Sequence, residues 1–411
     1  VSPLGGRSQS ADRREADAAG RPLPPEPPLE GLFRRLFGDA EPTALGSGWT
    51  SGVLAVCLGI AALAAVLCLR FPALLTWPAA RELYPLAAVR VAIDLMIAAT
   101  FLLGLLSALL RRRKALGMGG MALGLAASLL GGGRVPPMPA SAPIHLGLDW
   151  FLVNVLLLCV VFVPLERIVP HDPGQLVFRR GWTTDGVHFL LSHLLVQAST
   201  LMTLAPATVL MAWAVHPGLQ AAVAQQPAWL QFAEIVVVAD LAEYGIHRLF
   251  HRVSWLWPFH QVHHSSRQLD WLAGSRLHVV DVVLTRGFTF VPIFLLGFAA
   301  PPVYAYLVFV SLHAAFIHAN VGLSFGWLES VLVLPRFHHW HHSAESAALD
   351  KNFAVHLPWL DRLFGTYHCP RGRWPREYGT IGPPVPETYP GQLLHPFRRR
   401  RREPRSGGPT P

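Results

Sequence analysis

Apolar positions in this chain fall into long runs with helical rather than strand period, separated by short polar stretches rich in proline, glycine or arginine. The runs at 52–69, 86–110, 115–130, 146–163, 187–215 and 229–246 are each long enough, or nearly so, to cross about 30 Å of hydrocarbon as helices, which predicts six spans. The second carries Arg90 and Asp94 four residues apart, a spacing that lets opposite charges pair near one interface. Two further apolar arms, 287–300 and 303–317, meet at Pro301 and Pro302. At about 21 Å each as helix, they predict a re-entrant or shallow hairpin with both ends on one face.

The polar ends complete the pattern. Residues 1–28, ending GRPLPPEPP, cannot bury a core and are expected to be disordered. In the piece that follows, Leu32, Phe33, Leu36 and Phe37 recur at helical spacing opposite Arg34 and Arg35, the mark of a helix lying on the cytoplasmic leaflet. No early apolar core marks a signal peptide.

Composition places the chain in a bilayer, because 52% of its 411 residues are hydrophobic and only 14% are charged. Cys57, Cys68 and Cys159 lie in apolar runs and Cys369 in a polar stretch, so there is neither a disulfide framework nor a CxxC zinc pattern, and nothing argues for an oxidising compartment. The net charge of +9 is concentrated in short clusters, among them Arg111 to Lys114, Arg179–Arg180 and Arg398 to Arg402. Clusters flanking apolar spans are those of cytoplasmic loops and anionic lipid surfaces, which argues against nucleic acid as a partner. With the N-terminus in the cytoplasm, the basic loops fall inside and the uncharged loop 216–228 falls outside, so the sixth span emerges into the cytoplasm near residue 247. Both termini are then cytoplasmic.

That point is where the histidines begin: 14 of the 20 fall between 247 and 368. His247 and His251 stand at i and i+4; His260, His263 and His264 at i, i+3 and i+4; and His338, His341 and His342 repeat the triple within FHHWHHSAE. Imidazoles one turn apart on a helical face can converge on a metal. Eight such donors exceed the four to six of one ion, so a two-metal site is the economical arrangement. Imidazole suits iron, zinc, copper and nickel, and spacing does not choose among them. His339 lies out of register and reads as a supporting or interfacial residue. Asp240, Glu243, Asp281 and Asp350 could accept the second N–H of ligating imidazoles. Arg248 and Arg276 would serve lipid headgroups or those acids.

The stretches DLAEYGIHRLFHRVSWLWPFHQVHHSS (240–266), HANVGLSFGWLE (318–329), PRFHHWHHS (335–343) and DKNFAVHLPWLDRLFGTY (350–367) resemble the fatty acid hydroxylase and sterol desaturase superfamily, over roughly residues 145–380. The resemblance implies an all-α, polytopic membrane oxidoreductase with a cytoplasmic helical cap. That cap would hold a histidine-bound pair of irons that uses O2 and two external electrons to hydroxylate or desaturate a fatty-acyl, alkyl or sterol-like lipid. The family's ligand positions carry over onto His247, His251, His260, His263, His264, His338, His341 and His342, with His318 as a further ligand. His313 stands five residues before His318, about 140° away around a straight helix, and competes with His278 for one more position. The expected organisation is a disordered and interfacial tail (1–47), extra spans (48–144), the hydroxylase-like domain (145–380) and a basic disordered tail (381–411).

The lipid would enter from the cytoplasmic leaflet past Trp255, Trp257 and Phe259. Electrons would come from a separate cytochrome, ferredoxin or reductase, because the chain has no HPGG haem motif, no GxGxxG turn and no iron–sulfur cysteine pattern. A basic face favours an acidic donor. Two other classes stay open. A divalent-metal transporter would hold its ligands near the bilayer midplane on broken helices, and a bis-histidine haem carrier would need facing histidines within two spans.

Overall fold

The computed structural model describes residues 28–37, 46–77, 81, 84–136, 146–176, 178–194, 208–382 and 384–398. The first 27 residues, the stretch 195–207 of an expected span and the arginine run beyond 398 lie outside the described residues. Helices supply the architecture: α1 (Pro28–Phe37), α2 (Trp49–Arg70), α3 (Leu86–Leu110), α4 (Ala115–Leu129), α5 (Leu148–Ile168), α6 (Trp182–Leu194), α7 (Ala228–Arg252), α8 (Val279–Leu296), α9 (Ala300–His318), α10 (Pro335–His341), α11 (Trp359–Leu363) and α12 (Tyr389–Leu394). Only two isolated β-bridges, Pro170 with Val321 and Ser343 with Tyr378, occur among the described residues.

Among the described residues six helices are long and apolar enough to cross a membrane: α2, α3, the stretch Ala115–Arg134 containing α4, α5, α8 and α9. Four of these coincide with expected spans, and the other two are the arms of the hairpin, which are longer than the sequence reading made them. The arms have 18 and 19 residues, roughly 27–28 Å as helix. The extra length comes from residues 279–286, which hold Asp281 and Arg286 and so read as polar in the sequence. Asp281 is instead paired inside the protein, with His260 and Thr285. His278 caps α8 by accepting the Val280 N–H, and Gly297 ends it at φ 69°. A side chain at Gly297 would collide with Gln220 at 2.5 Å. Gln220 also donates to the Phe294 carbonyl, and Gln231 accepts the Ala299 N–H. The hairpin turn therefore sits level with loop 216–228 and the first turn of α7. α7 falls outside the apolar set because it carries Glu234, Asp240, Glu243 and Arg248.

Glycine lets α2, α3 and α4 approach closely. A Cβ at Gly117 would stand 2.3 Å from the Gly104 carbonyl, and one at Gly52 would stand 2.4 Å from Ser107 Oγ. Small residues are what bring apolar helices into contact where lipid offers no hydrophobic drive. Arg90 donates to the Val135 carbonyl and Asp94 accepts from Gly133 N–H, so both charges are tied to the turn after α4, where spacing alone had paired them with each other.

One end of the bundle gathers the N-termini of α2, α4, α6 and α8 and the C-termini of α3, α5, α7 and α9. Ser107 and Gly48 are hydrogen bonded there, Trp49 meets Phe178, and the Pro170–Val321 bridge joins the ends of α5 and α9. The cap formed by loops 253–278 and 319–398 covers this end. Part of the expected disordered tail belongs to it: α12 and the turn His395–Phe397 fold back, with buried Gln392 bonded to His188 and the Leu393 carbonyl accepting from His278. Polar partners for those groups exist only in the folded chain, which is why the basic, proline-rich sequence reads as unstructured.

Candidate metal centre

Nine histidines converge under the cap in two groups whose ring nitrogens lie within 4.8 Å of one another: His247, His251, His260, His264 and His341 in one, and His263, His318, His338 and His342 in the other. All are buried except His251, which is intermediate. The sequence boxes do not map one to one onto these groups. Each triple is divided, His260 and His264 to the first group and His263 to the second, then His338 and His342 to the second and His341 to the first. Residues at i and i+4 stay together while the one between them faces the neighbouring group. The two groups adjoin, with the rings of His264 and His342 stacked at 4.4 Å.

Backbone carbonyls and one carboxylate fix most of the tautomers. Nδ1 donates to Phe353 O from His247 (2.8 Å), to Asp281 Oδ2 from His260 (2.7 Å), to Arg276 O from His263 (3.2 Å), to Ala314 O from His318 (2.7 Å) and to Lys351 O from His341 (2.9 Å). His251 Nδ1 lies 3.5 Å from Asp350 Oδ1. Each imidazole held this way presents a bare Nε2 lone pair. In the first group all five Nε2 atoms are buried without a hydrogen-bond partner among the described residues. In the second, Nε2 of His318 stands 3.3 Å from that of His263 and 3.0 Å from that of His338, and His342 stands 3.1 Å from His338. His263 and His318 already donate through Nδ1, so their Nε2 atoms face each other as lone pairs. Nitrogens on one ion at about 2.1 Å are separated by roughly 3.0–3.4 Å for angles between right and tetrahedral. Orphaned, opposed donors at that separation fit a metal cation in each group.

Burial holds the imidazoles of His260, His263, His264, His338, His341 and His342 neutral, well below the usual histidine range, and neighbouring imidazoles add to the effect. Neutral imidazole is the metal-binding form. It also sets the acid behaviour of chelator-treated protein. A depressed folded-state pKa means that below about pH 6.5 the unfolded chain binds more protons than the native one, so stability falls with falling pH. Melting temperatures of the chelated protein are expected to drop steadily from pH 7 to pH 5, and a flat profile would contradict buried neutral rings.

The remaining candidates from the sequence lie elsewhere. His313 joins neither group; it donates through Nε2 to Val333 O and meets His356 Nδ1 at 2.9 Å. His278 is the cap of α8. His339 bonds Tyr378 and the carbonyls of His318 and Ala319. Among the carboxylates only Asp281 hydrogen-bonds an imidazole. Asp240 accepts the N–H groups of Val355, His356 and Leu357 (2.6–3.1 Å), and Glu243 faces Arg286. Asp240 therefore acts one step back, on loop 350–357, whose Lys351 and Phe353 carbonyls orient His341 and His247. Asp361 holds the same loop through Phe353 N and Ala354 N at 2.8 Å each. Asp350 and Asn352 adopt positive φ (55° and 60°), a conformation that Asn and Asp tolerate better than other side chains.

A second layer has no signature in spacing. Buried Arg179 grips Asp270 with two bonds (2.7 and 2.8 Å) and reaches Asp185 at 2.6 Å, and Asp185 holds Arg276 at 2.5 Å. Burial pushes the Asp185 carboxyl up, but the two guanidiniums outweigh it and hold it below the ordinary range. This network carries the Arg276 carbonyl to His263. Arg248 donates to Tyr244. Trp257 flanks His251 and His264, Phe259 packs on His278 and Phe397, and Trp255 is exposed.

An apolar helical bundle that gathers nine imidazoles, eight of them buried, at one end defines a membrane protein of the histidine-cluster class. The chain belongs to the fatty acid hydroxylase family, whose model matches residues 232–366. It is 31% identical over 261 residues to the ornithine lipid hydroxylase OlsE of Rhizobium tropici, covering 62% of this chain and 77% of that protein. It is 34% identical over 142 residues to the alkylglycerol monooxygenase of Homo sapiens and 34% over 140 residues to that of Danio rerio, about a third of this chain and 31% and 30% of those proteins. No solved structure matches the chain. It is an oxidoreductase of the oxygen-dependent lipid hydroxylase class.

Proposed function

We propose that the protein hydroxylates a membrane lipid at a di-iron centre, with His247, His251, His260, His264 and His341 holding one iron and His263, His318, His338 and His342 the other. The observation that carries this reading is the set of five buried, unpartnered Nε2 atoms beside four that oppose one another at 3.0–3.3 Å. The irons, when bound, supply the activation of O2 that attack on an unactivated C–H bond requires. The chain's own residues do the rest. Asp281 and the carbonyls of Phe353, Arg276, Ala314 and Lys351 fix the imidazoles before metal enters, and the cap excludes water. Hydroxylation is favoured over desaturation because the relatives are a hydroxylase and monooxygenases. The substrate class is a lipid with an acyl or alkyl chain and a polar head, entering beside Trp255 and Trp257.

The cytoplasmic face is the proposed side of the centre. The basic turns 111–114 and 179–180 lie at the same end of the bundle as the histidines, and the uncharged loop 216–228 lies at the other. A separate electron donor belongs to the proposal. Metal analysis of purified protein is expected to give two irons per chain, and membranes supplied with ¹⁸O2 should gain label in one lipid class only when the protein is present. A strong Soret band, or no labelled lipid, would overturn the reading. Replacing Asp281 with alanine removes the acceptor that orients His260. Iron affinity in a chelator competition is expected to fall roughly 10- to 100-fold, whereas unchanged affinity would show that the carboxylate plays no such part.

A further inference from the structure

The segment 369–379 reads in sequence as a polar linker, CPRGRWPREYG. In the structure it drapes over α10 and is fastened along its length. Trp340 Nε1 donates to Arg373 O (3.0 Å), Arg376 N to Glu345 Oε1 (2.7 Å), Ala344 N to Glu377 O (2.9 Å) and Gly379 N to His342 O (3.3 Å). Its outer side exposes Arg371, Arg373 and Arg376, together with one acid, Glu377. Arg267, also exposed, runs beside Gly379, where an added Cβ would meet its Cγ at 3.9 Å.

Its inner side sends Trp374 towards the histidines. The half-buried indole stacks on His171 with centroids 3.8 Å apart and meets the His339 ring edge-on at 5.1 Å. His339 is itself defined. Its Nε2 donates to the carbonyls of His318 (3.2 Å) and Ala319 (3.1 Å), which leaves Nδ1 to accept from the Tyr378 hydroxyl at 2.9 Å. His318 belongs to the second histidine group, and His339 is covalently adjacent to His338 of the same group. A continuous line of π-systems and one hydrogen bond thus leads from a basic surface to that group. An imidazole out of ligand register would not need to be fully buried between an indole and a ligand's carbonyl if it were only a surface residue.

We propose that this arginine-framed face, with Trp374 at its centre, is where an acidic one-electron carrier docks, and that electrons pass through Trp374 and His339 to the group of His263, His318, His338 and His342. The proposal rests on the hydroxylase reading given above. Hydroxylation balances as R–H + O2 + 2 e⁻ + 2 H⁺ giving R–OH + H2O, so a one-electron carrier must dock twice per turnover. The face is committed to an acidic protein rather than to lipid because the line from Trp374 through His339 to the second histidine group opens onto it, which a lipid would not use, and opposite charge steers such protein encounters and makes their rates fall with salt.

The test uses full-length protein in nanodiscs and a reduced, acidic plant-type [2Fe–2S] ferredoxin as the probe. Reversing Arg371, Arg373 and Arg376 to glutamate is expected to weaken ferredoxin affinity, measured on metal-free protein, at least about tenfold at low salt. In iron-loaded protein the same variant should slow ferredoxin re-oxidation to a similar degree while reduction by dithionite stays unchanged. At saturating ferredoxin, Trp374→Leu should slow re-oxidation at least fivefold with dithionite reduction unchanged, and Trp374→Phe should restore part of the rate. Affinity within twofold of the parent in the charge-reversed variant overturns the docking face, whether or not iron is bound. Equal slowing by ferredoxin and dithionite in Trp374→Leu overturns the electron path and makes the indole structural. Parent protein that dithionite cannot reduce overturns the hydroxylase reading, and this proposal falls with it.

Discussion

Replacing His342 with alanine is expected to leave a folded chain that binds about one iron in place of two and has lost hydroxylation by more than the roughly 10- to 100-fold typical of removing an outer partner of a metal ligand. The inequality between the groups decides the choice of residue. The second group has four donors and the first has five, so losing one of four leaves three imidazoles, too few to close a site against water. His342 also has no carbonyl or carboxylate on Nδ1, so its removal strands no backbone partner and should cost little stability beyond the packing of its ring. His251→Ala provides the contrast. His251 is the least buried of the nine, its Nδ1 contact to Asp350 is long at 3.5 Å, and four donors remain without it. Iron content and ¹⁸O incorporation should therefore fall further in the first variant than in the second. Two irons and full activity in His342→Ala would refute the assignment of ligands.

The same comparison shows what the sequence could and could not reveal. Helical period made the boxes legible, since 247/251, 260/264 and 338/342 are pairs that a single helix turn must bring together. The division of each triple between two groups was not legible, because it depends on how α7, α10 and the loop 260–265 face one another across the cap. His313 and His278 illustrate the limit in another way. Both are buried histidines near the boxes in sequence, yet each is satisfied by partners distant in the chain, Val333 and His356 for one and Leu393 of α12 for the other. Asp240 read as one of four possible acceptors for ligating imidazoles, but a carboxylate that accepts three consecutive amides is recognisable only once loop 355–357 is in place. The hairpin arms were read short because Asp281 and Arg286 counted as polar, and only His260 reveals that Asp281 belongs to the interior. The link between Arg179, Asp185 and Asp270 had no signature: Arg179 read as part of a basic turn, and the two acids are single charges, the farther one 91 residues away.

That last network supports the second large prediction, which concerns stability. Arg276→Met should destabilise the protein by about 3–5 kcal/mol, the range for removing one partner of a buried charge pair. Asp185 is fully buried, and losing Arg276 leaves its Oδ1 without a guanidinium while Arg179 still serves Oδ2 and Asp270. Arg179 cannot compensate, because it already binds two carboxylates. The damage should come from the stranded charge and not from the lost side chain itself. Adding Asp185→Asn, which removes that charge and leaves Arg179 paired with Asp270, should then recover part of the stability, though Arg276→Met alone is the worse variant. Thermal or denaturant unfolding of the two variants against the parent makes the comparison, and a double variant no more stable than the single would sink the argument. The metal-linked part separates cleanly. Because the backbone carbonyl that orients His263 survives the substitution, added iron should raise the stability of Arg276→Met by the same mass-action mechanism as in the parent, although from a lower starting point.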